Sequence, residues 1–163
     1  MAEMTVKYGR LAWIGLVVVI LDQITKAVVL QTMALYETIP VIPGLFNLTH
    51  IHNPGGAFGF MARQSETVRT LLFVVAALAA LVLIFFFYRK VSVSHPFLAA
   101  GLALVFGGAI GNLIDRIRFG SVVDFLDFYL GSLHWPAFNV ADSAVTVGML
   151  VFVYHILLNK LPE

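Results

Sequence analysis

Two aspartates, Asp124 in GSVVDFLDF and Asp142 in FNVADSAVTVG, are the residues on which acid–base chemistry could rest. Asp124 stands among Val122, Val123 and Phe125, and burial in such company raises a carboxylate's pKa and costs free energy unless the group is paired. A salt bridge to Arg116 or Arg118 would satisfy it. Asp142 precedes an apolar run, where Asp is a favoured helix N-cap because its oxygen accepts backbone N–H bonds. The pair offers a further use. The connection between them contains Gly131 and Pro136 and is long enough to fold back and bring the carboxyls side by side. Two carboxylates in close contact cannot both ionise easily, so one keeps a proton. The ionised member can then deprotonate a water that attacks a peptide carbonyl, while the protonated member donates to the carbonyl oxygen. Such aspartic peptide hydrolysis needs neither a metal nor a nucleophilic side chain.

The remaining polar residues suggest narrower roles. Asp22 and Lys26 are spaced i, i+4 with the acid first, the favourable order for a helical ion pair, and are expected to form a buried structural pair. Lys26 could instead extend toward the membrane interface. Asp115, beside Arg116, is expected to brace the following loop, and Asp127 to be solvated. His50 and His52 form H-x-H, which on a strand places both on one face. Zinc would need a third ligand and HExxH is absent, so no metal is expected. Ser143 with Lys26 could imitate a Ser–Lys peptidase, but a serine at a helix start reads as a capping residue. His95, His134 and His155 have no partner pattern, and His134 with Trp135 reads as an interfacial anchor. The chain has no cysteine, which excludes disulfides, thiol catalysis and thiolate metal sites.

These residues sit in a chain that is 60% hydrophobic and 12% charged, with a mean hydropathy of +0.94. Soluble domains are about 45–50% apolar and about 25% charged, so the chain belongs to the membrane class. A net charge of +1 gives no basic patch for nucleic acid, and no G-x-x-x-x-G-K phosphate loop occurs. Apolar runs over residues 11–30, 70–88, 96–114 and 141–158 predict four transmembrane helices, because backbone amides in lipid must be paired internally. The first run has the basic flank of a secretory signal, but Asp22 interrupts it and no small-x-small site follows, so it is expected to be retained. Gly101, Gly107, Gly108 and Gly111 suggest close helix packing in the third span. Lys7, Arg10, Arg89, Lys90 and Lys160 fall on one side of the alternation, which predicts both termini in the cytoplasm. Residues 31–69 and 115–140 then face outward. The first segment contains VIPGLFNLTHIHN, whose alternation suggests short strands on the membrane surface, and Asn53-Pro54-Gly55-Gly56 reads as a turn.

The ordered motifs are similar to those of the lipoprotein signal peptidase family, also called signal peptidase II. They are Asp22-Gln23 with Lys26, Asn53 with Gly55-Gly56-Ala57-Phe58-Gly59, Gly111-Asn112-Leu113-Ile114-Asp115-Arg116, Gly120 with Val122-Val123-Asp124-Phe125, and Phe138-Asn139-Val140-Ala141-Asp142-Ser143. Gly56 departs from the family pattern, where Ala is commoner. The resemblance covers nearly the whole chain, residues 1–163, as a single integral membrane domain. It implies an all-α membrane protein of four transmembrane helices with a small extracytoplasmic β-cradle and a mobile loop. It also implies an aspartic endopeptidase of the bacterial inner membrane, acting as a monomer at the outer face without a cofactor. The substrate would be a prolipoprotein whose cysteine already carries a diacylglyceryl group, cut just before that cysteine with its acyl chains in membrane lipid. On this resemblance Asp124 and Asp142 match the catalytic pair; Asn53, Asn112, Arg116 and Asn139 line the site; Asp22 and Lys26 match the first-span motif, with Asp115 in support. The alternative reading is a small membrane transporter or proton relay using the intramembrane carboxylates, which proteoliposome flux requiring Asp22 but tolerating loss of Asp124 would favour.

Overall fold

A computed structural model of the chain describes residues 2–55, 64–91 and 93–158. The Gly56-Ala57-Phe58-Gly59 part of the second motif, the loop around it with Arg63, and the terminal Lys160 and Glu163 lie outside the described residues.

Four helices are long and apolar enough to cross a membrane: α1 (Ala2–Thr32), α2 (Glu66–Lys90), α3 (Pro96–Phe119) and α4 (Val140–Leu157). Helix α1 runs well ahead of the expected start at residue 11, since nothing in AEMTVKYGR breaks a helix except the exposed Gly9. The other ends carry local signals. Ser65 caps α2 by accepting from Val68 N, and Pro96 occupies the first turn of α3, where its missing N–H costs nothing. Gly120 terminates α3 at φ 70, a left-handed conformation that glycine adopts freely, and turns the chain at once into a strand.

Helix α3 is central and packs against the other three. Its glycines are contact points: a Cβ on Gly107 would lie 2.9 Å from the Cα of Gly15 in α1, and one on Gly108 would lie 2.4 Å from the carbonyl oxygen of Ala141 in α4. With no hydrophobic driving force between helices in lipid, such close approach supplies the packing that holds them together. Outward faces such as Leu16, Val28, Leu71 and Leu150 remain exposed, as lipid contact requires.

The two long connections build one antiparallel sheet in the order β1 (Thr38–Ile42), β2 (Phe46–Asn53), β3 (Val122–Leu130) and β4 (Leu133–His134). Strand β2 comes from the first connection and β3 from the second, so their pairing welds the two together. A register shift between Leu48 and Ile51 lets the consecutive residues Thr49 and His50 both be buried. The chain is therefore a four-helix membrane protein with a small sheet at one end of the bundle.

Candidate active site

Asn139 ties the site together. As N-cap of α4, its Oδ1 accepts from Asp142 N at 2.9 Å, while Asp142 Oδ2 accepts from Asn139 N at 3.3 Å, a reciprocal capping box. Asp142 is therefore the third residue inside the helix rather than its cap, and the box fixes its carboxylate over the first turn. With Oδ1 committed to a backbone donor, the Asn139 amide must point Nδ2 the other way. It donates to Asp124 Oδ1 at 2.7 Å, and at longer range to Asn112 Oδ1 and Val123 O. One asparagine with no exposed surface thus binds both aspartates.

Asp124 stands on β3 opposite Ile51 and is 2% exposed. Its Oδ2 accepts from Asn53 Nδ2 at 2.9 Å, and Asn53 is steadied in turn by Gly55 N, which donates to its Oδ1 at 2.9 Å. Gly55 has φ 93, consistent with the turn expected at Asn53-Pro54-Gly55. Burial pushes the Asp124 carboxyl up to about 7; the charge of Asp142 acts in the same direction, and the hydrogen bonds from Asn53 and Asn139 oppose it.

Asp142 Oδ1 accepts from Asn112 Nδ2 at 2.7 Å. Asn112 Oδ1 accepts from Lys26 Nζ at 3.0 Å, and an ammonium offers only donors, so this contact fixes which way the amide faces. Lys26 is 2% exposed and lies 2.8 Å from Asp22 Oδ2 and 2.8 Å from Asp115 Oδ2. The pair Asp22–Lys26 exists, and Asp115 from α3 makes it a triad. Gln23 Nε2 bridges the two carboxylates at 3.1 and 3.0 Å. Gln23 was the one polar residue here without an expected role; a glutamine within an apolar run was the available signal.

Asp124, Asp142 and Asn53 open onto a cleft of about 650 Å³, with Trp135 and Phe138 on one wall and Thr146 and Val147 of α4 on another. A pair of carboxyls thus meets a mostly apolar groove. Trp135 is expected as an interfacial anchor and Phe138 stands in the last family motif, but no periodic pattern indicates that the two line one cleft.

Several expectations require correction. Among the described residues no ion pair joins Asp124 to an arginine: Arg116 donates to Asn112 O at 3.1 Å and lies 5.5 Å over the Phe73 ring, while Arg118 donates to Gln23 Oε1 at 3.4 Å. Arg116 is nevertheless near enough to Asp142, Asp124 and Asp115 for their charges to act on it. Ser143 donates to Asn139 O, and Lys26 is held in its triad, so they form no Ser–Lys dyad. Asp127 is buried rather than solvated, accepting from Asn47 Nδ2 at 2.8 Å. It is also the partner of His134, whose Nδ1 lies 2.8 Å from Asp127 Oδ1 and whose ring stacks on Tyr129. The short β3–β4 pairing brings these residues together, which no local pattern could have indicated.

His50 and His52 have ring centroids 5.3 Å apart, but their Nδ1 atoms face Met33 O and Ser121 Oγ. Burial lowers the His52 pKa, and His50 lowers it further while Asp115 raises it. Among the described residues no three His, Cys, Asp or Glu side chains are grouped as metal ligands.

Residues 14–158 match the model of a family described as Signal peptidase (SPase) II. The lipoprotein signal peptidase of Desulforapulum autotrophicum is 56% identical over 154 residues, covering 94% of this chain and 95% of that protein. That of Geobacter sulfurreducens is 51% identical over 130 residues, 80% of each. A solved bacterial membrane enzyme, determined by the in meso method at 2.3 Å resolution, superimposes with a TM-score of 0.82 at 32% identity, covering 93% of this chain and 90% of that one.

Proposed function

This chain belongs to the signal peptidase II family, a family of membrane proteases, and we propose that it removes signal peptides from diacylglyceryl-modified prolipoproteins by aspartic catalysis at Asp124 and Asp142. The observation that carries the catalytic assignment is the shared binding of both carboxyls by Asn139 at the edge of one cleft.

The chemistry follows from one shared proton. The ionised carboxyl removes a proton from a water poised over the scissile carbonyl, whose oxygen receives the proton held by the other carboxyl. The tetrahedral adduct collapses as the amine of the lipidated cysteine takes the proton that the first carboxyl gained from water and leaves, while an adduct hydroxyl returns its proton to the other carboxylate, so the pair regains its starting charge. The asparagines hold the carboxyls in place through this cycle: Asn139 binds both, Asn112 holds Asp142, and Asn53 holds Asp124. Arg116, close to both aspartates and braced on Phe73, is placed to line the substrate path. The apolar groove beside Thr146 and Val147 suits a substrate whose acyl chains stay in the bilayer. The site then lies at the outer face of a bacterial inner membrane, with both termini in the cytoplasm, and one chain suffices for it.

The test is cleavage of a diacylglyceryl-modified prolipoprotein by the purified protein in detergent, with and without chelator. Cleavage that survives chelator and Ser143→Ala but is lost in Asp124→Asn and in Asp142→Asn is the expected result. Retained cleavage in both asparagine variants would overturn the assignment of the pair.

A further inference from the structure

Asp22 and Asp115 share more than Lys26. Asp22 Oδ1 accepts the backbone N–H of Ala141 at 3.0 Å, and Asp115 Oδ2 accepts that of Val123 at 3.1 Å. Ala141 immediately precedes Asp142, and Val123 immediately precedes Asp124. Each triad carboxylate therefore grips the peptide next to one aspartate of the pair. Lys26 joins the two grips, with 2.8 Å contacts to both, and its third donor fixes the Asn112 amide that holds Asp142.

The geometry points to Asp22, Lys26 and Asp115 as positioning residues that set the separation of Asp124 and Asp142, one carboxylate for each. This rests on the aspartic reading given above. The N–H of Ala141 lies in the first turn of α4, where backbone donors have no intrahelical acceptor, so Asp22 is its partner. Packing enforces the contact: a Cβ on Gly111 would fall 2.6 Å from Asp22 Oδ2 and 3.3 Å from the Ala141 Cβ, so the carboxylate fits against bare backbone.

The two grips differ in one testable respect. Asp115 uses a single oxygen, Oδ2, for both Val123 N and Lys26 Nζ. An asparagine there keeps both contacts with its one carbonyl oxygen and loses only the bond from Gln23 to Oδ1. Asp22 uses Oδ1 for Ala141 N and Oδ2 for Lys26. An asparagine there must abandon one of them, because its Nδ2 would face a donor. If the triad only balanced buried charge, the two substitutions would be equivalent, since each removes one of two carboxylates around the same ammonium.

The experiment compares Asp22→Asn and Asp115→Asn, in the full chain in detergent, by steady-state cleavage of the diacylglyceryl-modified prolipoprotein across pH. Thermal unfolding provides the folded fraction. Asp22→Asn is expected to lower kcat by on the order of 100-fold with KM little changed, as a misplacement of about 1 Å would. The limbs of its pH profile should also draw together, because a more widely separated pair interacts less. Asp115→Asn should lose only a few-fold and keep the wild-type profile. Equal losses, or lower amplitude with unmoved limbs in both, would overturn the assignment while leaving the aspartic reading intact. A wild type that never cleaves removes that reading and this one with it. If Asp22→Asn does not fold, hydrogen exchange of wild type decides: an Ala141 amide as slow as the α4 interior supports the grip, and a fast one overturns it.

Discussion

At the scale of the residue, the most informative group is the Asp124 carboxyl. Its pKa is pushed up to about 7, well above the usual carboxylate range, first by burial. The raised value means that the folded protein binds this proton more tightly than the unfolded chain. The associated stability is present below the unfolded pKa and is lost as pH rises through about 7. For catalysis, losing the proton leaves a doubly ionised pair that cannot protonate the carbonyl. The alkaline limb of kcat/KM is therefore expected near pH 7, far above an ordinary carboxylate range. Asn53→Ala removes a hydrogen bond that favours the ionised form, so it should move this limb upward by about 1 unit while lowering the amplitude. A pH–rate profile of the variant checks this, and a downward movement would show that another group sets the limb. The asparagines also illustrate what a side-chain inventory omits. Asn139 and Asn112 are ordinary polar letters until their fixed donors, Asp142 N and Lys26 Nζ, determine which way each amide points.

At the scale of the element, the site depends on how closely α3 approaches α4. The Cβ of an alanine at Gly108 would lie 2.4 Å from Ala141 O and 2.8 Å from a Val145 methyl. A backbone oxygen cannot rotate aside, so the helices must separate next to Asp142. Gly108→Ala is expected to cost about 1–3 kcal/mol and to reduce kcat. Gly9→Ala in α1 meets nothing within 4 Å and should leave both unchanged. Thermal unfolding and turnover, measured together, check the pair of variants. Equal behaviour would mean that the close contact does not carry the load. The helix signals were legible in part: the glycines of α3 mark its packing and Pro96 its start, but the helix runs on to Phe119 and its cap Gly120, past the expected end at residue 114. The sheet was legible only in part. Its alternation suggests strands, but pairing β2 with β3 joins segments 69 to 82 residues apart, from Asn53↔Val122 to Phe46↔Phe128, and nothing local specifies that partner.

At the scale of the whole molecule, the four spans and their basic connections predict an orientation. The chain has no cysteine, so single cysteines can be labelled without background. Ser132 lies in the exposed β3–β4 turn, and Ser94 lies exposed between α2 and α3. A membrane-impermeant thiol reagent should label Ser132→Cys in intact spheroplasts and Ser94→Cys only after permeabilisation. The reverse pattern would invert the topology. The same orientation would place the cleft where a lipid-anchored substrate can reach it with its acyl chains still in the bilayer.

Composition and apolar run length determined by themselves that this is a four-span membrane protein, because lipid leaves the backbone few alternatives. Sequence also singled out Asp22, Lys26, Asp115, Asp124 and Asp142, since ionisable groups are scarce in so apolar a chain, and the family resemblance added Asn53, Asn112, Arg116 and Asn139. Only the tertiary structure decided their partners. It turned an expected pair into the Asp22–Lys26–Asp115 triad, drew Asp127 to Asn47 and His134, and left Asp124 without an arginine among the described residues. The physical reason is the same in each case. A hydrogen bond is set by distance and direction between atoms that the fold brings together, and residue type states only what an atom can donate or accept.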